Sequence, residues 1–425
     1  MEENTGGTKF VSFPKKTNIT PLHASGRPPQ RPPEPTCVAR FASAEDAVLA
    51  LKPTQPVHAL REQSIHAATA WFLEHFPGDV MFAVKTNPEP IVLDEAYAAG
   101  MRHFDVASLV EAELVFARFG TRVTQHFMHP VKSREAIAKA YYYYGIRHFS
   151  LDSFEELEKI LSVTENAPDL SLSVRLKVAN DKAAYSLGGK FGVSMAEAPA
   201  LLRATRSAAH KLGICFHVGS QCMDPSAFIS AMDDVGVLLA NAGVKLDILD
   251  IGGGFPSIYP DKTPPAMMHY MEAIGYGLQT LTLDNDCQIF CEPGRALVAE
   301  AGSLLVRVEL RKGEGDDAAL YINDGVYGSL FDAGSPGFVY PTKAIRPGHH
   351  FSCELVPFKL YGPTCDSVDA MAGPFMLPSD ITEGDWIEIG QMGAYGATMR
   401  TKFNGFYSDE LVTIEDQPLL KMDME

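Results

Sequence analysis

Nothing in the sequence would carry it across a membrane as a helix. No uninterrupted apolar run approaches the roughly 18 residues a spanning helix needs, and the N-terminus has no apolar signal-peptide core. Cysteine is sparse: the seven residues are odd in number and form no CxxC pair, which argues against a zinc or redox dithiol motif and for reduced thiols. Basic side chains are outnumbered 36 to 53, and the resulting charge of −17 repels nucleic acid and anionic membranes. The expectation is a soluble, cytoplasmic protein with neither nucleic acid nor membrane as a partner.

What is present is the composition of an ordinary folded enzyme, 46% hydrophobic and 21% charged, in a chain too long for one small module. Two domains, or a barrel plus an appendage, are expected. The acidic balance suits a small cationic ligand, although it serves equally as a solubility device.

Residues 1–36 form a Pro-rich polar stretch, read as a flexible tail because it buries too little apolar surface to order itself. From 57 to 300 short apolar runs alternate with segments of helical period, the pattern of repeated βα units. Strands are predicted at 80–84, 103–107, 123–128, 148–152, 172–178, 214–218, 246–251 and 288–291. Helices are predicted at 89–99, 109–119, 133–144, 154–161, 196–212 and 228–242. Eight such strands imply a closed (β/α)8 TIM-type barrel in an α/β fold. Residues 301–425 read instead as an antiparallel β-barrel or sandwich domain, with strands at 303–310, 319–323, 350–358 and 386–389. The segment 37–56 could lend it a strand at 38–42, which would insert the barrel into the β domain.

In this barrel class chemistry sits at the C-terminal ends of the strands. There the sequence places Lys85, Asp105, His129, Asp152, Arg175, His217 with Ser220, the glycines 252–254, and Glu292 with Arg295. Lys85 follows Phe-Ala-Val and should enter low dielectric, where a neutral amine and Schiff-base chemistry are favoured. A strand-terminal lysine is more often merely solvated, so its meaning comes from the groups around it. Asp250-Ile-Gly-Gly-Gly-Phe-Pro lets backbone N–H groups approach an anion, and Glu292-Pro-Gly-Arg adds a guanidinium in the usual phosphate position of the fold. An amine, a phosphate cradle and a buried carboxylate are the parts that hold pyridoxal phosphate, with Glu292 keeping the pyridine nitrogen protonated. His217 could lie against the ring face.

Eight strings now occur in one order: Phe82-Ala-Val-Lys-Thr-Asn, Phe104-Asp-Val-Ala-Ser with Glu111, Phe216-His-Val-Gly-Ser, Asp250-Ile-Gly-Gly-Gly-Phe-Pro, Glu292-Pro-Gly-Arg, Asn323-Asp-Gly-Val-Tyr-Gly-Ser, Gly362-Pro-Thr-Cys-Asp-Ser-Val-Asp and Gly393-Ala-Tyr-Gly. Over roughly residues 57 to 410 they resemble the ornithine/lysine/diaminopimelate decarboxylase family of the alanine-racemase-like fold. The resemblance implies that Lys85 carries pyridoxal 5′-phosphate, Glu292 pairs with its pyridine nitrogen and His217 stacks on its ring. Phosphate would be held by Ser220, Gly253, Gly254, Gly294, Arg295 and Tyr395, while Asp105 and Arg175 orient Lys85 and the ring substituents. It further implies a homodimer with shared sites, in which Cys365 donates a proton and Asp366 takes the distal ammonium of a small cationic amino acid. Tyr395 would also face the substrate.

The expected reaction is decarboxylation of L-ornithine to putrescine in polyamine biosynthesis, with lysine, or both amino acids, as the alternative. The family's Tyr-Asp-His segment is missing after Ser329, so Asp332 is the shifted candidate for the second substrate carboxylate. A racemase would need acid–base groups on both cofactor faces, and a silent regulatory homologue would not need the intact set. His126 with His129, and His349 with His350, lack a third ligand at a fitting spacing, so no metal is expected.

Overall fold

The computed structural model describes residues 38–178, 183–185 and 189–425. The predicted tail, 1–36, lies outside the described residues.

All eight predicted barrel strands form. Asp79–Ala83, His103–Val106, Thr124–Phe127, His148–Leu151, Ser171–Arg175, Lys211–Cys215, Ile248–Asp250 and Gln288–Cys291 close into a parallel barrel, the last strand pairing with the first. The strand-to-helix turns explain themselves locally. Ser108, Ser133 and Ser153 each stand just before a helix (Leu109–Phe119, Arg134–Tyr142, Phe154–Val163), and each hydroxyl accepts a backbone N–H of the first turn at 3.1–3.2 Å. The serine ends one element and starts the next.

The barrel interior is unusually polar near its N-terminal end. His103 Nδ1 lies 2.9 Å from His126 Nε2, His126 Nδ1 lies 2.8 Å from His148 Nδ1, and His148 Nε2 lies 2.6 Å from Ser173 Oγ. Three neutral rings and one hydroxyl thus form a continuous hydrogen-bonded chain where this fold usually packs branched aliphatics. Gly213 makes room for it, because a Cβ there would collide with the Ser173 hydroxyl. Met81, Ile248 and Phe290 form a small apolar cluster.

The second layer is a nine-stranded sheet running Ala39–Phe41, Leu411–Ile414, Val57–Leu60, Gly302–Lys312, Ala319–Ile322, Leu355–Tyr361, Ala370–Pro378, with Trp386–Ile389 and Thr342–Ile345 branching from Gly302–Lys312. Most pairings are antiparallel, as expected, but three are parallel. Two assignments change. Val57–Leu60, placed at the head of the barrel by the sequence reading, pairs with Gly302–Lys312 and Leu411–Ile414 in the sheet. The strand expected at 350–358 runs Leu355–Tyr361. Ala39–Phe41 pairs with Leu411–Ile414, so both chain ends build the sheet and the barrel is inserted within it. Arg61, directly after Val57–Leu60, is tied into the sheet. Its guanidinium donates to Glu388 at 2.7 Å, to Ser303 at 2.8 Å and to Asp416 at 3.0 Å.

Candidate active site

The C-terminal rim of the barrel opens on a cavity of about 570 Å3. Lys85 reaches it from a short 3-10 turn, Val84–Thr86, immediately after the first barrel strand. Asp105 lies within the second strand, Arg175 ends the fifth, and His217 and Glu292 follow the sixth and eighth. With Ser220, Arg295, Asp332 and Tyr395, these side chains line one space.

Lys85 Nζ donates to Asp105 Oδ2 at 2.6 Å. Asp105 is almost wholly buried, whereas Lys85 keeps 38% of its side chain open to the cavity. Burial is the largest single influence on the amine and disfavours its charge. The carboxylates of Asp105 and Glu292 together outweigh it and hold the amine above its ordinary range. Asp105 Oδ1 is buried and has no partner in the described structure, an acceptor available to a donor in the cavity.

Glu292 and Asp250 are both buried and face each other. Burial, then the negative charge of Glu292, pushes the Asp250 carboxyl well above the carboxylate range. The Glu292 carboxyl is raised as well, by burial and then by Asp105. Burial thus opposes charge on both carboxyls, and Asp250 Oδ1 accepts the Gly252 N–H at 2.9 Å. The imidazole of His217 is kept neutral by burial and by the charges of Arg175 and Lys85. Its Nδ1 accepts the Gly219 N–H at 3.0 Å, so the ring proton resides on Nε2.

Arg295 stands at the start of a four-residue helix, Arg295–Val298. Nη1 donates to Tyr259 Oη at 2.7 Å and Nη2 to Asp332 Oδ2 at 3.0 Å. Nε is buried without a partner. Phe338, Tyr395 and Tyr259 surround the guanidinium, their ring centres 4.9, 5.2 and 5.9 Å from its carbon. Tyr395 is held there at φ +64°, a left-handed conformation unusual for a side-chain-bearing residue, and its N–H donates to Thr86 O at 2.9 Å.

Some expected residues take other positions. Gly253, Gly254 and Gly294 support the rim without lining the cavity. A Cβ on Gly254, at φ +108°, would stand 2.5 Å from Gly219 O, and one on Gly294 would strike the Thr86 hydroxyl. Asp332 lines the cavity, but its carboxylate is engaged by Arg295 and is not a free second carboxylate for substrate. Cys365 and Asp366 do not line the cavity of their own chain. Cys365 is exposed and Asp366 half-buried on the β domain, where Asp366 accepts from Tyr327 Oη at 2.6 Å and Cys365 Sγ lies 3.3 Å from Asn404 Oδ1.

The sequence reading gave no role to Met128, Phe191, Phe331 or Met399, which supply apolar wall, nor to Lys190. Tyr259 and Asp250 were also missed as partners of Arg295 and Glu292. Asp250 carried a signal, since it opens a quoted motif two residues before the glycines. Tyr259 carried none.

The donor set fits a phosphorylated pyridoxal. A primary amine, the unpartnered Asp105 oxygen, the buried Glu292 carboxyl and a caged guanidinium with an unpartnered Nε–H converge on one cavity. Comparison with known proteins agrees. The chain is 31% identical over 384 residues to the lysine/ornithine decarboxylase of Selenomonas ruminantium, covering 89% of this chain and 94% of that protein. It is 34% identical over 354 residues to the ornithine decarboxylase of Panagrellus redivivus, covering 76% and 77%. A crystal structure of an SrLDC mutant in complex with PLP superposes with a TM-score of 0.77 at 30% identity, covering 89% of this chain and 96% of that one. Residues 62–299 match the pyridoxal-binding domain of the pyridoxal-dependent decarboxylases. The chain therefore belongs to the ornithine/lysine/arginine decarboxylase family of pyridoxal-dependent enzymes.

Proposed function

We propose that the protein uses pyridoxal 5′-phosphate to decarboxylate a basic L-amino acid, ornithine first and lysine second, releasing CO2 and the diamine. The observation that carries this reading is the convergence of Lys85, His217, Glu292 and Arg295 on one cavity from three different strand ends. The relatives named for lysine and ornithine support the substrate class.

Bound there, the cofactor supplies an electron sink for the pair released when the substrate's carboxylate leaves as CO2. Lys85 would hold its aldehyde carbon. Asp105 would set the amine's proton affinity, and Glu292, backed by Asp250, would face the pyridine nitrogen. His217, neutral and protonated at Nε2, would lie against the ring. Ser220, Arg295 and Tyr395 would take the phosphate, with Gly253, Gly254 and Gly294 allowing the backbone to pack close beneath. Arg175 would contact the ring substituents.

The charges of the cavity support a shared site. Its three carboxylates among the described residues are engaged: Asp105 by Lys85, Asp332 by Arg295 and Glu292 by Asp250. An incoming distal ammonium needs another carboxylate, since a buried cation without a partner is costly. Asp366 of a second copy, next to the exposed Cys365, would provide it. Cys365 Sγ would then deliver a proton to the substrate's α-carbon. A cytoplasmic role in polyamine formation accompanies this reading.

The test is CO2 release by the holoenzyme offered L-ornithine, L-lysine and L-arginine separately. Release from ornithine above lysine is expected. Equal rates would replace it with a dual-specificity enzyme, and no release from any of the three would overturn the reading.

A further inference from the structure

Arg295 is over-committed for a group that has to bind an anion. One of its terminal nitrogens is taken by Tyr259 and the other by Asp332, and three aromatic rings prevent the guanidinium from swinging away. Nε–H is buried and has no partner. Asp332 is itself fixed: its backbone carbonyl accepts the Phe338 N–H at 2.9 Å, anchoring the Phe331–Ala333 turn beside the ring that packs on Arg295. Asp332 and Arg295 are both buried, with side-chain exposures of 8% and 5%, so water does little to screen their interaction. An arriving phosphate must share one cation with a carboxylate already bound to it.

We propose that Asp332 is a built-in competitor of the phosphate group, a residue that lowers the affinity of the site for phosphorylated cofactor and keeps that cofactor exchangeable. The inference rests on the reading of Arg295 as the phosphate donor. Asp332 is not a catalytic residue in this account. It acts through Arg295, and its charge matters more than its shape. Two like charges within a few ångströms shift a binding or proton equilibrium by about ten- to a thousand-fold, so the effect is large enough to measure.

The experiment titrates the apoprotein with pyridoxal 5′-phosphate and, separately, with pyridoxal, which lacks the phosphate. Binding is followed by quenching of protein fluorescence and by the absorbance of the Lys85–aldehyde adduct. Asp332→Asn keeps the hydrogen-bond acceptor and removes the charge. It is expected to bind the phosphorylated form about tenfold tighter or more, leave pyridoxal unchanged, and become more sensitive to competition by inorganic phosphate. Asp332→Ser, smaller and also neutral, is measured beside it, with thermal melts to establish that each variant folds. Affinity for the phosphorylated form that is unchanged or weaker would overturn the proposal and make Asp332 a support for Arg295. Equal tightening of both ligands would overturn it too, by placing the effect away from the phosphate. If the unsubstituted protein binds both ligands equally, it is the reading of Arg295 that fails, and the proposal goes with it.

Discussion

At the scale of single residues, the site is governed by which charge each group faces. Lys85 shows this most directly, because burial alone would favour its neutral amine and the adjacent carboxylates reverse the outcome. Asp105→Asn removes the hydrogen-bonded carboxylate and leaves Glu292 as the remaining carboxylate opposing burial. The pH at which the amine loses its proton should then fall by about 1–3 units, read as a shift in the pH dependence of cofactor capture by the apoprotein. An unmoved profile would mean that Asp105 does not set the amine. Local reading of the sequence found most of these groups because each ends an apolar strand run. It missed how they pair. Arg295 and Asp332 stand 37 positions apart and Arg295 and Tyr259 stand 36 apart, so their contacts exist only once the barrel has closed.

At the scale of elements, the histidine chain across His103–Val106, Thr124–Phe127 and His148–Leu151 has a pH signature. Burial is the first cause in all three rings and lowers their proton affinity, to about 4 for His148 against an ordinary 6.5. The unfolded chain therefore binds these protons more readily than the folded one. Stability from the neutral rings is complete above about 6.5 and drains away as the pH falls toward 4. Melting temperature should drop steeply across that interval, and less steeply in His148→Met. Parallel curves for the two proteins would argue against the chain as the source.

Barrel strands were legible because runs such as Phe-Ala-Val end abruptly in polar residues. The helix Met267–Thr280 was not, since Gly275 and Gly277 interrupt its helical pattern. Gly277 faces Met232 on the neighbouring helix, and a Cβ there would displace the end of the Met232 side chain. The strand Ala370–Pro378 was hidden in the same way by its internal glycine and proline, which read as a turn.

At the scale of the whole molecule, the separation of Cys365 and Asp366 from the cavity of their own chain bears on assembly. If two copies complete each other's sites, mixing Lys85→Ala with Asp366→Ala protein restores CO2 release that neither shows alone. Recovery should reach about a quarter of full activity, because half of randomly paired dimers are mixed and each of those carries one intact site. No recovery after subunit exchange would favour self-contained sites. The exchange of Val57–Leu60 from barrel to sheet belongs to this scale too. As a fully buried run next to βα units it looks like a barrel strand, and only its partners at Gly302–Lys312 and Leu411–Ile414 assign it otherwise.

Those partners also impose a timetable. Chains emerge from the ribosome N-terminus first, and domains tend to fold as they appear. All eight barrel strands are out by residue 291, yet Ala39–Phe41 and one edge of Val57–Leu60 receive their neighbour only when Leu411–Ile414 is made. For more than a hundred residues of synthesis, the nascent protein carries a complete barrel beside strands that still await the last segment of their sheet.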